Sequence, residues 1–440
     1  MNMQSTLVGL FKEVYGENIV EAWSFMAKLA KRINFVSQEL RPGNFYNQPV
    51  DVQFEHGISE AGAGQVPGSG TVVFFPPTAG QMQNAQLAGA QLVGRSQVSY
   101  EAIARSANSK AAFKQATQHV VRRLSQAVLK RLEIQLLHGG RGIGTVSSIG
   151  TETGPTGGYY FTTLTISDAS WSTGIWAGMV GAYVDLYQSD LSTARQSANI
   201  NNGSTQQMIV SAVDTVNKTV TVKYTTIRAA SGPTLWAVGD VLFFGGGVGG
   251  TSSTELAGLD IITRLNASSS AFQNIACATY DLWRGNQYST STGTLSFAKL
   301  LEAAGLAASY GLMDDLVAVI SPRAFEVLNT DIAALRQYDV SYQSAKAENG
   351  ASKLLFNGQT GIIEIMPHAF QKDGLCHMFC PNEAMRVGAA DVSFITRQGS
   401  EDKLILESAT AAASEMRAYS NQALFCAQPR HTVLMDGITY

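Results

Sequence analysis

The sequence predicts an α+β fold: an extended arm and a long helix, then a mixed body that an all-β segment interrupts. Three observations lead there. Residues 106–138 carry Phe113, Ala116, Val120, Leu124, Val128, Leu132 and Leu136 at helical spacing throughout. Residues 42–94 contain no lysine or arginine, and short strand-like alternation flanks a glycine-rich centre. Residues 151–255 turn to serine, threonine and glycine between short apolar alternations.

Composition narrows the class. Of 440 residues, 45% are hydrophobic, enough for a large core and too many for a disordered chain. Length alone suggests two or three domains. Only 15% are charged, against roughly 25% in ordinary domains. Interface cores are depleted in charge, so this suits a chain that meets copies of itself on several sides better than a solitary enzyme with a wetted surface. No apolar run is long enough to span a membrane as a helix, and no basic segment precedes an apolar one at the start. The four cysteines follow no disulfide-framework pattern, which fits synthesis in a reducing cytosol.

In chain order, residues 1–45 read as an N-terminal arm. Leu7, Leu10, Phe11 and Val14, then Ile19, Trp23, Met26 and Ala30, predict one or two amphipathic helices over 5–36, with Gly16 between them and Arg41-Pro42-Gly43 as the stop. Such a helix either lies on its own subunit or docks on a neighbour. Residues 46–105 read as an extended hairpin loop. Val50, Val52 and Phe54 alternate as a strand, Gly62, Gly64, Pro67 and Gly68 mark a turn region, and a return strand is expected from Gln91 to Tyr100. A lone hairpin is marginally stable in water, so the arm should rest on a partner subunit.

The helix of 106–138 ends at Gly139-Gly140 and opens a segment running to 150. Lys110, Lys114, Arg122, Arg123, Lys130, Arg131 and Arg141 face one acid, Glu133. That is +6 in a chain of −3 and leaves −9 elsewhere. Clustered cations of this kind contact phosphates without sequence preference, pair with acids of neighbouring subunits, or solvate a face. Within 151–255, paired strands are expected at Gln207–Asp214 and Thr219–Tyr224, with Ile209 and Val213 facing Val220 and Val222, and a further strand ends at Phe244. Residues 256–440 should hold a helix at Leu295–Ser309, a buried strand at Leu316–Ile320, a helix at Pro322–Leu328, and strands at Ile362–Met366, Met378–Cys380 and Gln422–Cys426.

No nucleophile elbow, zinc-binding helix pair, phosphate loop or calcium loop is present. Gly140-Arg141-Gly142-Ile143-Gly144 follows a helix, the wrong context for a dinucleotide turn. Cys376 and Cys380 read as buried thiols rather than half a metal site. Asp314-Asp315 reads as a turn signal. The six histidines are scattered, so no catalytic residue, metal ligand or cofactor is expected.

The order of elements resembles the major capsid protein of tailed bacteriophages, with the Hong Kong 97-type fold. Gln97-Val98-Ser99-Tyr100-Glu101-Ala102-Ile103 is similar to the strand entering that family's spine helix, and Arg131 to Gly140 with Gly142-Ile143-Gly144 to the end of that helix. Ala318 to Phe325, with Ile320-Ser321-Pro322, resembles the strand-then-helix of the axial domain. Met416 to Pro429 resembles the closing strand of the peripheral domain. The resemblance implies a non-enzymatic shell subunit forming hexamers and pentamers of an icosahedral container around double-stranded DNA, assembled in the host cytoplasm. A separate scaffolding protein, a portal and a cement protein are the implied partners, with no membrane. Residues 256–440 would hold the axial domain and the rest of the peripheral domain, and 151–255 an all-β insertion domain.

Some members lock their shells with an isopeptide bond from an arm lysine, but no lysine lies between Lys31 and Lys110 here. Stability would then come from non-covalent contacts. An encapsulin-type compartment shares the implied fold, and a soluble oligomeric enzyme is the rival from another class.

Overall fold

The computed structural model describes residues 27–37, 46–59, 76–99, 110–191, 193–196, 208–225, 235–249, 252–336, 354–359, 361–394, 406–407 and 413–440. Its centre is a six-stranded sheet in the order Asn286–Ser289, Val433–Asp436, Cys376–Phe379, Leu316–Ile320, Ile362–Pro367 and Leu354–Asn357. Leu316–Ile320 is buried at every position. Leu316, Ala318 and Ile320 enter one core, beneath helices Phe297–Ser309 and Pro322–Arg336, while Val317 and Val319 enter the main core on the opposite face. A strand covered on both faces needs a continuous apolar run, which Leu-Val-Ala-Val-Ile supplies. Ser321 Oγ accepts from Ala324 N at 3.2 Å and caps the helix that Pro322 opens.

A second sheet has the 14-residue strand Ala413–Cys426 at its middle. It pairs antiparallel with Ala384–Phe394 on one side, and with Ala90–Ser99 on the other from Ala413↔Ser99 to Gln422↔Ala90. The expected return strand of the arm is therefore a body strand. The hairpin is closed instead by Gln81–Leu87, antiparallel to Tyr46–Gln53 from Tyr46↔Leu87. Gly89 separates the two strands where a Cβ would lie 1.6 Å from Asn421 Oδ1. A side chain there would have to displace the Asn421 amide.

The long helix spans Lys110–His138, 29 residues and about 44 Å at 1.5 Å per residue. Val121, Leu124 and Val128 pack on Met416 and Ala418 of the second sheet, and Leu129, Leu132, Leu136 and Leu137 enter the main core. Residues 5–26 of the expected amphipathic stretch and its stop at 41–43 lie outside the described residues. The remainder holds a short helix, Lys28–Arg32, and then a strand, Asn34–Ser37, parallel to Ala384–Phe394. The expected helix thus ends before 36, because Asn34–Ser37 completes a sheet edge.

Between Gly144 and Phe244 the chain forms an antiparallel barrel. Its order is Met208–Asp214, Thr219–Tyr224, Tyr159–Ile166, Gly144–Ile149, Val241–Phe244 and Tyr183–Tyr187, closed by Met208↔Val184. Val213 faces Val220 as expected, but Val222 faces Val210, and Ile209 faces Lys223. A bulge after Val210 shifts the register. Chain entry and exit meet in a stem, where Gly258 N donates to Gly139 O at 3.1 Å. All four cysteines are free and buried, and among the described residues no helix is long and apolar enough to cross a membrane.

Candidate functional site

The arm is the first candidate. Its strands turn Tyr46, Val52, Ala85 and Leu87 onto Trp283, Val387 and Phe425 of the same chain, with Val50 packed at the edge. Gln86 N donates to Gln273 O at 2.9 Å, and Tyr280 OH donates to Gln81 Oε1 at 2.6 Å. The base of the arm thus rests on its own subunit. Beyond it, Phe54 is 73% exposed, Ile58 75% and Met82 64%. Gly62, Gly64, Pro67 and Gly68 lie outside the described residues.

The basic helix is the second candidate, and its cations divide. Arg122 and Arg123 are exposed. Lys130 is half-buried, its Nζ donating to Ala177 O at 2.7 Å, and burial lowers its pKa. Arg131 lies over the Phe244 ring at 3.5 Å from its centroid and pairs with Glu255 at 3.4 Å. Burial lowers the Arg131 pKa to about 10, against the pull of Glu255. Arg131 is spent inside the subunit, joining helix to barrel, and Lys130 joins the same interface. The side chains of Lys110 and Lys114 lie outside the described set.

Two further charges hold the N-terminal segment. Glu133, the lone acid of the helix, is wholly buried and accepts from Leu29 N at 3.2 Å, Ala30 N at 2.8 Å and the His368 ring at 2.9 Å. It satisfies amide donors that the short helix cannot satisfy itself. Arg386, 4% exposed, donates to Ile33 O at 3.0 Å and to Gln422 Oε1 at 2.9 Å, and pairs with Asp391 at 3.1 Å.

A third grouping has no signature in the sequence. His138 ends the long helix, Asp260 lies in helix Leu259–Thr263 just past the stem, and His377 lies in the six-stranded sheet; all three are buried. His138 Nδ1 is 3.9 Å from Asp260 Oδ2, and His377 Nε2 is 3.7 Å from Asp260 Oδ1. Burial, with the charge of Lys372, lowers the His138 pKa to about 3. Burial alone would raise the Asp260 carboxyl, but the two histidines and Arg264 hold it well below the usual carboxylate range. Burial also lowers Lys372 to about 8. One carboxylate and two imidazoles, from segments far apart in sequence, are the described residues that could hold a metal ion. Asp315 Oδ1 accepts from Ile362 N at 2.7 Å, and Asp314 accepts from Asn382 at 2.6 Å, so both acids hold contacts distant in sequence.

No protein-family model matches the chain, and no curated protein matches it. Among solved structures it is similar to the cyanophage A-1(L) capsid asymmetric unit, with a TM-score of 0.51 at 9% identity, covering 94% of this chain and 93% of that one. The capsid of a native GTA particle aligns at a TM-score of 0.42 and 8% identity, over 94% and 90% of the two chains. A virus-like particle from Pyrococcus furiosus aligns at 0.35 and 8%, over 96% of each. The fold assignment rests on the cyanophage likeness, which spans nearly all of both chains. The chain carries the fold of a bacteriophage capsid protein.

Proposed function

We propose that the protein is the structural subunit of a phage shell, assembling into hexamers and pentamers of an icosahedral container around double-stranded DNA. The observation that carries this reading is the arm, anchored on its own body at the base and presenting Phe54, Ile58 and Met82 to solvent beyond it. Three exposed apolar side chains on one projecting element suit an interaction surface, and in an assembled shell a neighbouring subunit would cover them. Arg122 and Arg123 would meet packaged DNA or acids of an adjacent subunit. A scaffolding protein, a portal and a cement protein remain the partners that this reading implies, and the virion its location.

The arm tests this. Phe54→Ser, Ile58→Ser and Met82→Ser together should leave the subunit folded by circular dichroism. They should shift its sedimentation from large particles to single subunits or capsomers. An unchanged particle distribution would remove the arm from the assembly surface.

A further inference from the structure

We infer that His138, Asp260 and His377 form a site for one divalent transition-metal ion of the zinc class, which clamps the stem of the barrel to the six-stranded sheet. The donor atoms of the three side chains lie within 4.8 Å of one another. Their separations of 3.7 and 3.9 Å are too long for hydrogen bonds. Around a tetrahedral ion with bonds of about 2.0–2.1 Å, donors stand about 3.4 Å apart. Contraction by about half an ångström on these two sides, and by up to about 1.4 Å on the remaining separations, which lie within 4.8 Å, converts one arrangement into the other.

Hydrogen bonding points the same way. Both ring nitrogens of His138 and Nε2 of His377 are buried without a hydrogen-bond partner, whereas buried polar atoms are ordinarily paired. Gln371 Nε2 donates to Leu375 O at 2.8 Å, and His377 Nδ1 lies 3.0 Å from Gln371 Nε2 and 3.3 Å from Gln371 Oε1, so the Gln371 amide holds the ring. When His377 Nδ1 donates to Gln371 Oε1, the bare lone pair of His377 Nε2 faces a carboxylate oxygen. Two electron-rich atoms facing each other repel, and a cation between them makes both into ligands. Gln371 then does what an outer partner of a metal-bound histidine does, fixing the ring and its tautomer. Arg264 Nε donates to Asp260 Oδ1 at 2.6 Å and orients the carboxylate in the same way.

Neighbouring charge selects the ion. Arg264 and Lys372 already offset Asp260, so an ion dependent on carboxylates, such as calcium or magnesium, gains little. Two imidazole nitrogens suit zinc, cobalt or nickel. A cleft of about 660 Å³, lined by Gly140, Arg141, Asp260, Arg264 and Lys372, gives an ion a route to the carboxylate side.

The test uses the full chain, stripped with EDTA, dialysed, and titrated with zinc and with cobalt(II). About one zinc per chain should be retained, and cobalt should give the intense visible bands of a four-coordinate ion. His377→Gln and Asp260→Asn, checked for folding by circular dichroism, should weaken zinc binding by about 100-fold or more. Gln371→Leu, which keeps every ligand, should weaken it by about 10–100-fold. His431→Gln should change nothing. Zinc retention below about 0.1 per chain, or full binding by a folded His377→Gln variant, would overturn the assignment. Should the ligand variants fail to fold, the cobalt spectrum of the native chain decides, and weak octahedral bands alone would overturn it.

Discussion

Glu133 and His431 show how single buried charges hold distant parts of the chain together. Replacing Glu133 with alanine strands two backbone amides and a histidine nitrogen in the core. The expected cost is about 2–4 kcal/mol, read by denaturant melting, with residues 27–37 losing amide protection first. His431 is a pH-dependent contact. Its ring nitrogen meets Glu383 at 2.7 Å, and although burial opposes the charge, Glu383 raises its pKa above the ordinary 6.5. A raised folded-state pKa gives stability that is fully present below 6.5 and fades as pH climbs through the folded value. Stability should therefore fall as pH rises above 6.5 and through the raised folded-state value, and Glu383→Gln should flatten that slope. A slope unchanged in the variant would assign it to another group.

At the scale of elements, the stem is a tight point. A Cβ on Gly139 would lie 2.0 Å from Leu256 O, a backbone atom that cannot swing aside. Gly139→Ala should destabilise the chain by about 1–3 kcal/mol through enforced displacement. Limited proteolysis should then release the barrel more readily than the body. Elements with strong local patterns were legible in the sequence: the long helix from its apolar stripe, Leu316–Ile320 from its unbroken run, and Pro322–Arg336 from its Ser-Pro start. The return strand of the arm was not. Gln81–Leu87 reads Gln-Met-Gln-Asn-Ala-Gln-Leu, with no β-branched residue, and its pairing with Tyr46–Gln53 is set by the body beneath. Ala90–Ser99 has the stronger strand pattern, and the closing strand claims it. The histidine pair was invisible for a different reason. Helix end, stem and sheet bring His138, Asp260 and His377 together only in the folded chain, and no spacing encodes that meeting.

For the whole molecule, the exposed half of the basic helix carries the prediction about packaged DNA. Each phosphate that a variant leaves unneutralised lowers the slope of log affinity against log salt by about 0.9. Arg122→Ala with Arg123→Ala should lower the slope for double-stranded DNA by about 1–2 without sequence preference, since phosphate recognition carries none. An unchanged slope would place these arginines against neighbouring subunits or solvent instead. The low charge, the arm with its exposed apolar side chains and the capsid fold all converge on assembly. Negative-stain electron microscopy of the purified chain, with and without a co-expressed scaffolding protein, tests that claim most directly. Closed shells, or capsomers that become shells when the scaffold is present, are the predicted result. A uniform species of a few subunits under both conditions would contradict it.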